Sequence, residues 1–256
     1  MPNTPAGLAQ KVMIILETLM ETKDSLDLRE IALRTGIPKS TVHRILSSLE
    51  EDRWVLQNRG TRKYQPGARV LIFADSWRMN QALVIAAGDS MQSLVEETGE
   101  TAVCAVPDGE QARCIHMVES HHALKFFFRI GGTLPLHAGA MGKVILAYSP
   151  LRLQERILTA SMRQYTKNTI TDPAMLRREL DSIREQGYSV SVEEIDPGGT
   201  AVGAPIFSAG NHLVGGLIIS GPKSKFERKL EDLAPLVVEA ARKISENLQA
   251  GEHPAL

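Results

Sequence analysis

Residues 28–51 read Leu28-Arg29-Glu30-Ile31-Ala32-Leu33-Arg34-Thr35-Gly36-Ile37-Pro38-Lys39-Ser40-Thr41-Val42-His43-Arg44-Ile45-Leu46-Ser47-Ser48-Leu49-Glu50-Glu51. Leu28, Ile31 and Ala32 mark a short helix that stops at Thr35-Gly36, because glycine is favoured just past a helix end. Pro38 follows, where a missing N–H costs little in a first helical turn. Val42, Ile45, Leu46 and Leu49 then form the apolar stripe of a helix over 38–51. Its opposite face carries Lys39, Ser40, Thr41, His43, Arg44, Ser47 and Ser48, with no acid before Glu50. Two helices joined by a tight turn, the second presenting short polar and basic side chains, are what reading of a major groove about 12 Å wide requires.

Working outward, Leu8, Val12, Ile15, Leu16 and Leu19 predict a preceding amphipathic helix over 8–20, followed by a polar break at 21–27. On the other side, Trp54-Val55-Leu56 and Lys63-Tyr64 flank Gln57-Asn58-Arg59-Gly60-Thr61-Arg62, a predicted hairpin with cations at its tip. Beside a recognition helix, such a hairpin reads as a wing placed on phosphate. From Leu28 to Pro66 there are eight basic residues against four acidic, whereas 67–256 holds 19 against 22. An αα-hairpin with a solvated polar face accounts for any one of these features. It does not account for all of them in this order. Ser40, Thr41 and Arg44 are expected at base edges or adjacent phosphates, and Arg29, Pro38, Lys39, His43, Arg59, Arg62 and Lys63 complete the expected contact surface.

The whole chain is 256 residues with a formal net charge of −1, 43% hydrophobic and 23% charged, which excludes wholesale disorder and a histone-like cationic body. Two cysteines, Cys104 and Cys114, cannot build a disulfide framework and fit a reducing compartment. The start has no secretory signal pattern and no apolar run approaches the roughly 20 residues of a membrane span, so a cytoplasmic protein without membrane partners is expected.

After Pro66-Gly67, a helix is predicted over 67–79 and a second over 82–97, closed by Gly99. Thr101–Val106 and Arg113–Val118 bracket Pro107-Asp108-Gly109-Glu110, a strong hairpin signal. Further strands are predicted over Leu124–Arg129, Tyr188–Glu194, Ala201–Phe207 and Leu213–Ser220. Helices are predicted over 140–148, 151–158, from Asp172-Pro173 to Gly187, and over 227–248. Strands in runs between helices in runs indicate an antiparallel sheet flanked by helices, α+β.

The run Ile31–Leu46 resembles the winged helix-turn-helix of the IclR family of bacterial transcription regulators. So do Gly131-Gly132-Thr133-Leu134-Pro135-Leu136-His137-Ala138-Gly139-Ala140-Met141-Gly142-Lys143, Gly187-Tyr188, Glu193-Glu194 and Ile218-Ile219-Ser220-Gly221-Pro222. The resemblance implies a winged helix-turn-helix over 1–66, a connecting helix over 67–80, and a GAF-like effector-binding and oligomerisation domain over 81–256. It also implies a homodimer or dimer of dimers on a near-palindromic operator, acting as a repressor or an activator. In the family a loop and helix start cap a cavity over the sheet, floored by strands near Glu193-Glu194 and Ser220-Gly221. Carried over by position, the lining is Gly139, Ala140, Met141, Ser191, Ala201, Ile218 and Ser220. A helix start offers N–H groups to a carboxylate. Ala201 and Ile218 are apolar, which favours a somewhat larger, even aromatic, acid over the smallest and most polar ones.

No cofactor or metal is expected. Gly142-Lys143 invites a phosphate-loop reading, but His137 replaces the first glycine and Val144 the hydroxyl. His116, His121, His122 and His137 lack metal-ligand spacing, and adjacent His121-His122 would point to opposite faces of a strand. Cys104 and Cys114 read as core residues rather than nucleophiles, and Phe126-Phe127-Phe128 as core or dimer contacts rather than a stacking platform. The competing class is an α+β enzyme fused to a DNA-binding head, with Glu193 or Glu194 as acid/base. No nucleophile–base pair accompanies those carboxylates.

Overall fold

The computed structural model describes residues 7–22, 24–122, 128–226 and 230–251. The chain divides into two compact units, Met1–Met79 and Asn80–Leu256.

The described residues of the first unit form α1 (Leu8–Glu21), α2 (Leu28–Thr35) and α3 (Lys39–Glu51), strands β1 (Val55–Gln57) and β2 (Tyr64–Pro66), and the start of a fourth helix. A capping box opens α2: the Asp27 carboxylate accepts from the Arg29 and Glu30 N–H groups while Glu30 Oε2 accepts from the Asp27 N–H. Gly36 closes it at φ +68°, a left-handed conformation that side chains resist. Pro38 is the residue before α3 rather than its first turn; its φ of −53° and ψ of 136° are not helical. Ile15, Leu19, Leu26, Ile31, Val42, Ile45, Leu46, Val55 and Tyr64 fill one interior. Val55 pairs with Pro66 and Gln57 with Tyr64 in an antiparallel hairpin.

Helix α4 (Ala68–Thr98) follows. It is one continuous helix where two were expected. Asn80 and Gln81 between the two predicted segments are polar, but neither removes an N–H as proline does, so nothing there ends the helix.

The second unit continues with β3 (Thr101–Asp108), β4 (Gln111–Val118), β5 (Thr133–Pro135), α5 (Gly139–Ala147), α6 (Leu151–Thr159) and α7 (Pro173–Gln186). It ends with β6 (Ser189–Val192), β7 (Gly199–Phe207), β8 (Leu213–Pro222), α8 (Lys223–Phe226) and α9 (Leu230–Gly251). The six strands lie in the order β5-β4-β3-β8-β7-β6, every neighbouring pair antiparallel. The fold is α+β. Val144, Ile145, Leu176, Leu180 and Ile183 from α5 and α7 share a core with Val103, Ala105 and Ile218 of the sheet, and α9 packs on β7 and β8.

Several expectations need correction. The strand predicted over 188–194 ends at Val192, because Glu193 takes the left-handed conformation (φ 55°) and turns the chain. The strand predicted at 124–129 lies outside the described residues through 127, and Phe128 and Arg129 are in no strand. Strand β5 was not foreseen: three residues are too few to show an alternation.

Candidate functional site

Helix α3 turns Val42, Ile45 and Leu46 inward and leaves Lys39, Ser40, His43 and Arg44 exposed, with Thr41 half-buried. Arg29 on α2 and Pro38 before α3 are exposed as well. In the hairpin tip, Asn58 Oδ1 accepts from the Gly60 and Thr61 N–H groups, and the Arg62 N–H donates to the Asn58 carbonyl at 2.7 Å. These bonds fold the tip so that Arg59 and Arg62 are exposed. Lys63 is half-buried and stands 4.0 Å from Glu30, so its charge is shared with α2. Of the expected contact residues, Arg29, Pro38, Lys39, Ser40, His43, Arg44, Arg59 and Arg62 are exposed, and Thr41 and Lys63 are half-buried. The Asp27 carboxyl is held below its usual range, chiefly by the Glu30 N–H.

In the second unit a cavity of about 120 Å³ lies between the start of α5 and the sheet. It is of the same order as an engineered cavity of roughly 150 Å³ that holds benzene. Gly139, Ala140 and Met141 line it from the helix, Ser191 from β6, Ala201 from β7, and Ile218 and Ser220 from β8. All seven residues chosen from the sequence meet at this one cavity. Antiparallel register explains why three strands contribute small side chains to one face: Ser191 pairs with Ala201, and Ala201 with Ser220. Leu134, Ile195 and Phe128 add apolar wall, while Glu194 and Asp196 add carboxylates that were not expected in the lining.

Glu194 is tied down from several sides. Lys143, 1% exposed, donates from Nζ to Glu194 Oε1 and Glu179 Oε1, each at 2.6 Å, and to the Val190 carbonyl at 2.8 Å. The Gly139 N–H donates to Glu194 Oε2 at 3.1 Å, and Thr169 Oγ1 to the Glu194 carbonyl at 2.7 Å. Sequence reasoning weighed Lys143 only as a phosphate ligand. The available signal was a single cation inside the otherwise apolar run Ala140–Ala147, which calls for a buried partner. Glu193 accepts from Lys223 Nζ at 2.8 Å and from the Gly198 N–H at 2.9 Å, and Lys223 holds its carboxyl below the usual range. Both carboxylates of the enzyme reading are therefore engaged in ion pairs.

Among the described residues no group of three or more His, Cys, Asp or Glu could hold a metal. His137 instead lies 2.9 Å from the Arg163 carbonyl and stacks on Tyr165. Cys104 and Cys114 are buried in β3 and β4, and burial pushes the Cys104 thiol up to about 12. No helix of the described residues is long and apolar enough to cross a membrane.

Two family models match this chain in order. The IclR helix-turn-helix domain covers residues 8–59, and the bacterial transcriptional regulator IclR C-terminal domain covers residues 78–246. The chain belongs to the IclR family. Among curated IclR relatives, the HTH-type transcriptional regulator BhcR of Paracoccus denitrificans is 32% identical over 89% of this chain and 82% of its own. The transcriptional repressor IclR of Escherichia coli is 29% identical over 90% of this chain and 86% of its own. Among solved structures, the Thermotoga maritima IclR gives a TM-score of 0.64 at 32% identity, covering 94% of this chain and 98% of that one. An IclR homolog from Microbacterium hydrocarbonoxydans, complexed with 4-hydroxybenzoate, shares the fold with a TM-score of 0.65 at 24% identity, over 95% of this chain and 100% of that one. This IclR-family chain is a DNA-binding transcriptional regulator with a ligand-binding C-terminal domain, and its family is one of regulators rather than enzymes.

Proposed function

We propose that residues 1–66 read an operator, residues 81–256 sense a carboxylic acid, and residues 67–80 connect the two. The observation that carries the reading half is the outer face of α3, where Lys39, Ser40, His43 and Arg44 stand free of acids while the inner face is anchored by Val42, Ile45 and Leu46. Ser40, Thr41 and Arg44 contact base edges or adjacent phosphates. Lys39, Arg59, Arg62 and Lys63 mainly hold the backbone, and Arg29, Pro38 and His43 complete the contact surface. One helix reads only a few base pairs, so a homodimer or dimer of dimers on a near-palindromic site supplies the remaining specificity.

The sensing half is supported by the cavity under α5, whose apolar Ala201, Ile218 and Leu134 suit an acid larger than two or three carbons. The 4-hydroxybenzoate bound by the Microbacterium relative is one such acid. Ligand acts by population shift, binding one arrangement of the regulator better than another.

The test is selection of a preferred duplex from a random pool, followed by titration of aliphatic and aromatic acids against that complex. A shared two-fold motif, with affinity changed by an acid of four or more carbons, is the expected result. Binding without sequence preference overturns the reading half. A response confined to two- and three-carbon acids overturns the choice of ligand.

A further inference from the structure

The loop from Glu193 to Gly199 forms part of the cavity wall, contributing Glu194, Ile195, Asp196 and Gly199 to the lining. It is closed on itself. The Glu193 N–H donates to the Gly199 carbonyl at 2.6 Å, and Glu193 Oε1 accepts from the Gly198 N–H at 2.9 Å. Helix α8 grips this loop at two points. Lys223 Nζ lies 2.8 Å from Glu193 Oε2, and the Lys223 N–H donates to the Gly198 carbonyl at 2.8 Å. A loop closed by its own hydrogen bonds and fastened twice moves with α8 rather than past it.

Two residues on, α8 carries a second ion pair. Lys225 Nζ stands 3.2 Å from Glu100 Oε1, and Glu100 is 4% exposed. Glu100 Oε2 is buried and has no hydrogen-bond partner among the described residues, so this carboxylate depends on Lys225 for its counter-charge. Packing leaves little slack: a first side-chain carbon on Gly221 would lie 2.1 Å from Glu100 Oε2 and 2.9 Å from Phe226 Cε2. Glu100 also belongs to the end of α4. Its N–H donates to Thr98 Oγ1 at 3.2 Å, and that hydroxyl donates to the Leu94 carbonyl at 2.6 Å. Two lysines of one short helix thus join a wall of the cavity to the end of the helix that begins in the first unit.

We propose that α8 couples the cavity to the connecting helix: Lys223 follows the Glu193–Gly199 loop, Lys225 passes the movement to Glu100, and Glu100 transmits it to the end of α4. This rests on the effector-cavity reading and on the connecting role of residues 67–80, and supplies a route between them. A ligand that prefers one position of the loop biases the end of α4 by that same preference. Dense packing carries a displacement of Lys223 to Lys225, since both sit on one turn of helix against β7 and β8. Lys223, Lys225 and Glu100 are positioning residues, and none of them lines the cavity. The two ion pairs are the points at which the route can be cut.

The experiment is amide hydrogen exchange of the full chain, with affinity for a selected duplex measured alongside. Glu193→Gln removes the charge that holds Lys223 and should speed exchange of the amides of residues 94–100 at least about fivefold. In a Glu100→Gln background, which cuts the second pair, Glu193→Gln should add less than about twofold there. Lys225→Met cuts the route at the same place and should act likewise. Arg177→Ala, which breaks the Arg177–Glu155 pair between α7 and α6, should leave residues 94–100 unchanged. Duplex affinity should change at least about threefold in Glu193→Gln, and this change too should vanish in the Glu100→Gln background. Faster exchange confined to the loop and α8 overturns the proposal, as does an effect of Glu193→Gln that persists when Glu100 is replaced. An equal effect of Arg177→Ala marks general loosening and overturns it as well, and so does an unaltered duplex affinity. The exchange measurement uses no ligand, so failure of the acid reading leaves it intact. If the wild-type chain selects no duplex, the operator reading fails and exchange at residues 94–100 alone decides the coupling.

Discussion

A side chain on Gly142 would place its first carbon 1.9 Å from the Pro135 carbonyl oxygen and 3.0 Å from the Leu136 Cα. Helix α5 therefore approaches the end of β5 more closely than any residue but glycine permits. The glycine that suggested a phosphate loop is a packing glycine. Gly142→Ala is expected to cost about 3 kcal/mol, the upper part of the range for overpacking against backbone. Thermal unfolding of the second unit monitors it, and an unchanged melting temperature would mean that α5 is not seated as described.

Lys143 meets two carboxylates and a carbonyl with almost no solvent contact. Removing the ammonium leaves Glu194 and Glu179 beside each other without their cation. Lys143→Ala should destabilise by about 3–5 kcal/mol, or roughly 10 °C in melting temperature. Lys143→Met combined with Glu194→Gln should recover part of that loss. Differential scanning calorimetry distinguishes the two. Equal losses would show that packing, not charge, is what Lys143 provides.

Arg44 and Arg62 are both exposed cations, on the reading helix and the hairpin tip respectively. Arg44→Ala is expected to cost on the order of 1–3 kcal/mol and relax preference at one base position. Arg62→Ala should weaken all sequences about equally and lower the salt slope by roughly one. Titrations of specific and scrambled duplex at several salt concentrations separate the roles. A uniform loss from both variants would contradict the division between base and phosphate contacts.

The Asp27 carboxylate caps α2, and its folded pKa lies below the ordinary aspartate value, first because the Glu30 N–H bonds to it. A carboxylate with a depressed folded pKa contributes stability that is fully present above its unfolded pKa. That contribution is lost as pH falls through the folded value. Asp27→Ala should therefore be less stable than wild type at neutral pH, and the gap should narrow as acidification carries the Asp27 carboxyl down through its folded pKa. Circular dichroism across that window is the measurement.

Cys104 should not react with thiol reagents in the native state. Burial, with a smaller contribution from nearby Cys114, holds its thiol protonated to about pH 12, and only the thiolate attacks. Burial also raises Cys114. Labelling of Cys104 should therefore require denaturation. Fast labelling of Cys104 at pH 8 would place it nearer solvent than β3 allows.

The helices of the first unit were legible from apolar periodicity, with Gly36 after Thr35 marking the end of α2 and Val42, Ile45, Leu46 and Leu49 the stripe of α3, while the Asp27–Glu30 capping box went unread. Strands β7 and β8 were legible because two apolar runs flank a short turn at 208–211. The cavity-lining positions came from the resemblance rather than from periodicity, and the structure gathers them because Ser191, Ala201 and Ser220 share one register face. What stayed hidden depended on long-range contacts. Nothing local in Gly142-Lys143 tells of Pro135, 7 residues back, or of Glu194, 51 residues on. The break expected between 79 and 82 failed for the opposite reason, since two polar residues interrupt an apolar stripe without interrupting backbone bonds.

The interior of the reading head is filled by residues from Ile15 to Tyr64, with Val12, Ile14, Leu16, Leu28, Ala32 and Leu49 at its margin. A substitution that retunes which duplex is gripped need not disturb the wall that meets the small molecule, and the reverse holds as well. Mutation can thus explore new targets and new chemical cues on separate accounts, and a graft of one half onto a relative's other half becomes a practical way to build a sensor with a chosen output.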